Sequence, residues 1–108
     1  WEYDSHQDHQ VVSKIVLASS RKNNANVYFF EPIIPGGITP YGFNSNYFVD
    51  ITDTMEIKIK SIMAHKSQFE KFGKGWLDAI YGRASLRGFQ INAKYAEAFQ
   101  IVKMIDRV

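Results

Sequence analysis

The sequence predicts an α/β domain, and three observations carry that expectation. Segments with helical periodicity alternate with short apolar, β-branched runs along the chain. With 45% hydrophobic and 15% aromatic residues, the 108 residues can bury a core of one domain's size. No linker-like shift in composition and no internal repeat divides the chain, so residues 1–108 read as a single partial domain.

In chain order, the first element is a helix over residues 10–22, with Val12, Ile15, Val16 and Ser19 at helical spacing and Arg21 and Lys22 placed to suit the negative end of its dipole. Asn23, Asn24 and Asn26 interrupt it. Residues 27–30, Val-Tyr-Phe-Phe, form a compact run that reads as a buried strand. Residues 33–46, with Pro35, Gly36, Gly37, Pro40 and Gly42, make one long irregular loop. A short strand over 47–51 leads to Asp53, placed to cap a helix with Glu56 three residues on. Met55, Ile59, Ile62 and Met63 supply that helix's apolar stripe, and His65 stands at its end. Trp76, Leu77, Ile80, Tyr81 and Ala84 define a further helix stopping near Gly88, a residue suited to the left-handed position after a helix. Residues 95–105 carry both signals, since Phe99, Ile101 and Val102 suit a strand whereas Ala96 and Ala98 favour a helix. Phe29, Phe30, Phe48 and Phe99 are expected in the core.

Charge narrows the function. The net charge of +2 comes from 13 basic and 11 acidic side chains that are interspersed, with no concentrated field for a phosphate backbone, so nucleic acid is not an expected partner. The absence of cysteine leaves histidine and carboxylate as the ligands for any transition metal and fits a reducing, cytoplasmic compartment. No apolar run approaches the roughly 20 residues that cross a bilayer. The chain opens at Trp1 without an initiator methionine and is expected to be a piece of a longer protein.

The sharpest local feature is Asp-Ser-His-Gln-Asp-His at residues 4–9. Two histidines three residues apart at the mouth of a helix can face the same side. Neutral imidazole is a good zinc ligand, and Asp8 is the candidate carboxylate to accept the second ring proton of one histidine. Catalytic zinc takes three protein ligands and an open position, so the pair alone describes a solvated helix start more readily than a metal site.

Several separated motifs extend this. His6-Gln-Asp-His9-Gln-Val-Val, Tyr28-Phe-Phe-Glu31, Phe48-Val-Asp50-Ile-Thr, Lys58 followed by Ala64-His65-Lys-Ser67-Gln68, and Gly88 with Tyr95-Ala-Glu97-Ala-Phe99 follow one another in an order that resembles the second half of LmbE/PIG-L proteins. The resemblance covers nearly the whole chain. It implies the C-terminal part of a three-layer, Rossmann-like α/β domain. It also implies a metal-dependent, usually zinc-dependent, hydrolase removing acetyl groups from N-acetylglucosamine-type sugars or their conjugates. His9 inherits the metal-ligand role, His6 that of general acid or oxyanion stabiliser, and Asp8 that of orienting a histidine. Gln7 stands where many relatives have proline, a change in loop stiffness that leaves both histidines in place.

The family's other ligands and its general base come from an A-H-P-D-D-E-type motif that these 108 residues lack, so the chain alone is expected to be inactive. His65, Ser67 and Gln68 are candidates to contact a sugar, against the plainer reading of His65 as a helix-terminal residue. Tyr41 and Asn44 of the loop are further sugar-binding candidates, with Phe43 between them. Imidazole and carboxylate ligands are equally compatible with iron, cobalt or manganese. Two alternatives stand beside the hydrolase. One is an interaction module that pairs uncovered strand edges or apolar faces, with a homo-oligomer as one form. The other is a catalytically dead sugar-binding relative.

Overall fold

The structure is a computed structural model that describes residues 1–32 and 41–108. Within them run α1 (Gln7–Ser19), β1 (Val27–Phe30), β2 (Tyr47–Asp50), a 3-10 turn (Thr52–Thr54), α2 (Met55–Ala64), α3 (Lys66–Gln90) and β3 (Ala96–Lys103). The chain is thus mixed α/β, with one three-stranded sheet in the order β1-β3-β2. Of the expected loop over 33–46, Pro35, Gly36, Gly37 and Pro40 lie outside the described residues. Two compact units share the chain, Trp1–Tyr47 with Ala98–Val108, and Phe48–Glu97.

In the first unit β1 and β3 pair antiparallel, Tyr28 opposite Ile101 and Phe30 opposite Phe99, with a register shift between Val27 and Tyr28. The stretch 95–105 therefore holds a strand over Ala96–Lys103, where backbone pairing outweighs the helix propensity of two alanines. β1 is buried on one face only. Val27 and Phe29 point inward, Tyr28 and Phe30 outward, and Phe30 is 64% exposed rather than part of the core. A strand covered on one side follows the two-residue period, which a uniformly apolar run conceals. Tyr47 lies between Tyr28 and Phe99, 5.4 and 6.1 Å away between ring centroids.

The helix α1 differs from expectation in its inward face. Val12 and Ile15 are 58% and 60% exposed, and the buried position is Ser13. The Ser13 hydroxyl donates to the His9 and Gln10 carbonyls, so a buried polar side chain is satisfied by its own helix. Arg21 and Lys22 fall beyond the last helical residue. The cation at this helix end is instead Lys103, whose Nζ donates to the carbonyls of Ser20 and Asn23 at 2.7 and 2.5 Å.

In the second unit Ile51, Met55, Ile59, Ile80 and Ala84 form the core, flanked by Val49, Ile62, Trp76, Leu77, Tyr81 and Tyr95. This reproduces the two expected stripes except at Met63, which is largely exposed at the end of α2. Asp53 makes no cap, because the 3-10 turn intervenes and α2 starts from Thr54 without a side-chain cap bond. Lys58 pairs with Glu97, tying α2 to the start of β3.

α3 is broken at Gly73, whose φ of 67° and ψ of −163° lie in a region open essentially to glycine. Gly88 is not the left-handed residue after the helix. It is buried inside the last turn, and a Cβ there would meet backbone atoms of Ala93 and Lys94 at 2.7 Å. The left-handed residue is Asn92, with φ 60°. Ala93 N–H returns to the Gly88 carbonyl and Asn92 N–H to that of Phe89, a Schellman closure that turns the chain sharply toward β3.

Replacing Gly88 by alanine is expected to lower stability by about 1–3 kcal/mol through backbone overpacking. Gly82→Ala, exposed on the same helix with nothing within 4 Å of its Cβ, should gain about 0.5–1 kcal/mol. Urea denaturation of both variants checks the contrast, and equal effects would contradict the close approach.

Candidate functional site

α1 starts three residues earlier than its apolar pattern suggests, and this places the histidines. His6 is the N-cap and His9 lies in the first turn. Asp4 precedes them in an Asx turn, its Oδ1 accepting the His6 N–H at 2.9 Å. Its Oδ2 accepts from His9 Nδ1 at 2.9 Å. The Asp4 side chain is 9% exposed, whereas that of His9 is 56% exposed. Gln10 Nε2 donates to the Asp4 carbonyl at 2.6 Å and closes the turn from the helix side. Trp1, buried, packs edge-on against Tyr3 and Phe43.

The two imidazoles stack, with centroids 4.5 Å apart and planes 19° from parallel. Their Nδ1 atoms are anchored in opposite senses. A carboxylate only accepts, so His9 Nδ1 carries a hydrogen toward Asp4, and in the neutral ring Nε2 is left with its lone pair. The Asp8 N–H donates to His6 Nδ1 at 3.2 Å, so in neutral His6 the hydrogen sits on Nε2. One ring thus offers a lone pair and the other an N–H donor.

Burial raises the Asp4 pKa, but the His6 N–H bond, then the His9 ring bond and charge, outweigh it and hold the carboxyl below the usual aspartate range.

Of the residues singled out in sequence, His6, Asp8 and His9 are brought together. Asp8, however, meets His6 through its backbone N–H, and the carboxylate on the His9 ring is Asp4. The sequence reading passed over Asp4. Its local signal was an aspartate two residues before a helix-capping position, the spacing of an Asx turn. Tyr41 packs against Tyr3 with centroids 4.4 Å apart and planes tilted by 36°, while Asn44 is exposed. His65, Ser67 and Gln68 belong to the second unit, all exposed at the junction of α2 and α3. There the His65 carbonyl receives the N–H groups of Gln68 and Phe69, and its ring caps neither helix.

For a metal, His9 fits the chemistry of one ligand, a neutral imidazole whose second nitrogen is held by a carboxylate. Among the described residues no group of three histidine, aspartate or glutamate side chains stands together to complete a metal site. No helix among them is long and apolar enough to cross a membrane.

No protein-family model matches the chain, and no solved structure matches it. Among curated proteins it is similar to one named diacetylchitobiose deacetylase, from Thermococcus kodakarensis. The identity is 29% over 109 aligned residues, which take in 93% of this chain and 41% of the relative. The chain therefore spans less than half the length of that relative.

Acid stability tests the Asp4 geometry. A depressed carboxyl pKa contributes stability that is fully present above the unfolded value near ~3.9 and is lost as pH falls through the lower folded value. The stability advantage of the wild type over Asp4→Asn should accordingly shrink as pH falls through the acidic carboxylate range. Denaturation at a series of pH values measures it, and a pH-independent difference would rule the carboxylate's charge out as the cause.

Proposed function

We propose that this chain supplies the two-histidine part of a zinc-dependent deacetylase acting on N-acetylglucosamine-type amides. The observation that carries the reading is the opposed presentation of the stacked rings, a lone pair on His9 Nε2 beside an N–H on His6 Nε2. The name of the curated relative supports the substrate class. On the same reading the sheet and helices are the C-terminal part of a three-layer, Rossmann-like domain, and residues 1–108 one partial domain of it. The protein would act in the cytoplasm.

Each residue then has a defined task. His9 would hold the metal through Nε2, with Nδ1 kept on Asp4. Bound zinc supplies Lewis-acid polarisation of the acetamide carbonyl. His6 would donate a hydrogen bond from Nε2 to the developing oxyanion while water adds to the carbonyl carbon; as the C–N bond breaks, the proton that the general base takes from that water passes to the nitrogen, giving acetate and a free amine. Asp8 stands in the first turn of α1, where an acid is favoured by the helix dipole, and its N–H keeps the His6 ring turned. Tyr41 and Asn44, and His65 with Ser67 and Gln68, are the proposed sugar contacts. The other metal ligands and the general base would come from an A-H-P-D-D-E-type motif beyond these 108 residues, and the chain by itself would be inactive.

A second reading, association with another copy, draws on the exposed Val12 and Ile15 of α1. Light scattering separates it, since a strict monomer leaves it without support.

The deciding experiment measures metal content and acetate release from N-acetylglucosamine and diacetylchitobiose in the full-length protein carrying this chain. His9→Ala should lose both metal and activity. His6→Ala should keep the metal and lose roughly 10²–10³-fold in rate, the range for removing an oxyanion donor. Unchanged zinc and turnover in His9→Ala would remove the proposal.

A further inference from the structure

The two histidines are the same residue on the same helix start, stacked within 4.5 Å, and nothing in their own chemistry makes them different. The difference comes from what faces each Nδ1. At His6 it is a backbone N–H, which can only donate. At His9 it is the second oxygen of a carboxylate whose first oxygen is already committed to the His6 N–H.

We propose that Asp4 is the positioning residue of the pair, a two-way acceptor that fixes His9 with its hydrogen on Nδ1 and so turns the Nε2 lone pair outward. Both of its oxygens must accept. An asparagine in the same place has one oxygen and one NH₂. The oxygen is needed by the His6 N–H, because a backbone N–H has no other option, and this turns the NH₂ toward His9 Nδ1. That nitrogen must then accept, the ring hydrogen moves to Nε2, and the lone pair is lost. One isosteric substitution therefore inverts His9 while leaving His6, anchored by the Asp8 N–H, as it was. The principle matches the serine-protease aspartate, where the amide variant keeps the geometry but holds the histidine in the wrong tautomer.

The tautomer assignment stands on these hydrogen bonds alone. Its consequence for metal binding rests on the deacetylase reading. If both hold, Asp4→Asn should weaken zinc binding roughly 10–100-fold, the usual effect of removing an outer-shell partner of a ligand histidine.

The test is ¹⁵N NMR of the histidine rings in the metal-free full chain, above the pH at which the imidazoles are protonated, for wild type and Asp4→Asn, with zinc titrated afterwards. The expected wild-type result is His9 with a protonated Nδ1 and a bare Nε2, and His6 the reverse. In Asp4→Asn only His9 should change, to a protonated Nε2. A wild-type His9 protonated on Nε2, or an unchanged His9 in the variant, would overturn the proposal. Should Asp4→Asn not fold, a slowly exchanging, downfield Nδ1–H proton on wild-type His9 is the independent readout, and its absence is equally fatal. The expected tautomers without zinc binding or deacetylation would leave this inference standing and remove the proposed function.

Discussion

A buried carboxylate that can only accept hydrogen bonds is the constraint on which the first unit's helix start depends. Asp4 has lost most of its water, and the desolvation that would raise its pKa is more than offset by the His6 N–H and the His9 ring. These bonds fix the backbone at the N-cap, and with it the entry angle of α1. The Gln10 side chain, donating to the Asp4 carbonyl, and the Trp1 carbonyl, accepting the Asp4 N–H, hold the same turn. Capping by His6 Nδ1 is an unusual choice, since small oxygen-bearing side chains are preferred there. The Asx turn supplies the order that the cap alone would not.

The second unit is held by close approach rather than by polar anchoring. Met55, nearly inaccessible, sits among Ile51, Ile59, Ile80 and Ala84, and α3 can leave this core abruptly only because Gly88 lets Ala93 and Lys94 pass against it. The Schellman turn at Asn92 then delivers Tyr95 to the backbone of Ile51 and the hydroxyl of Thr52. The start of β3 is thus positioned by a helix end. The pairing of Lys58 with Glu97 fixes the same point from α2.

What was legible in sequence follows from how local each signal is. The stripes of α2 and α3 and the short strands β1 and β2 are carried by neighbouring residues and were read correctly as elements. The inward face of α1 was not, because an apolar stripe is only a proxy for burial, and a serine satisfied by its own helix can take the buried position instead. Gly88 was recognised as special for the wrong reason. Its role depends on which backbone passes overhead, and no window along the sequence contains that. Phe30 was assigned to the core because four apolar residues in a row do not reveal whether one face or both are covered. At the site the histidines are visible through spacing, whereas the role of Asp4 depends on a backbone turn that brings it to a ring five residues away.

Asp4, two residues before the cap, folds back over the first turn through its bonds to the His6 N–H and the His9 ring, whereas Asp8 lies exposed in that turn. Asp8, flanked by His6 and His9 in sequence, therefore contributes a backbone donor. Asp4, five residues from His9, contributes the carboxylate. Two identical imidazoles become an acceptor and a donor because the groups behind them are of opposite kinds, one able only to donate and the other only to accept. Chemical asymmetry of this sort needs no difference in burial or in net charge between the rings, so it can sit on an exposed helix end and still be fixed before any ligand arrives.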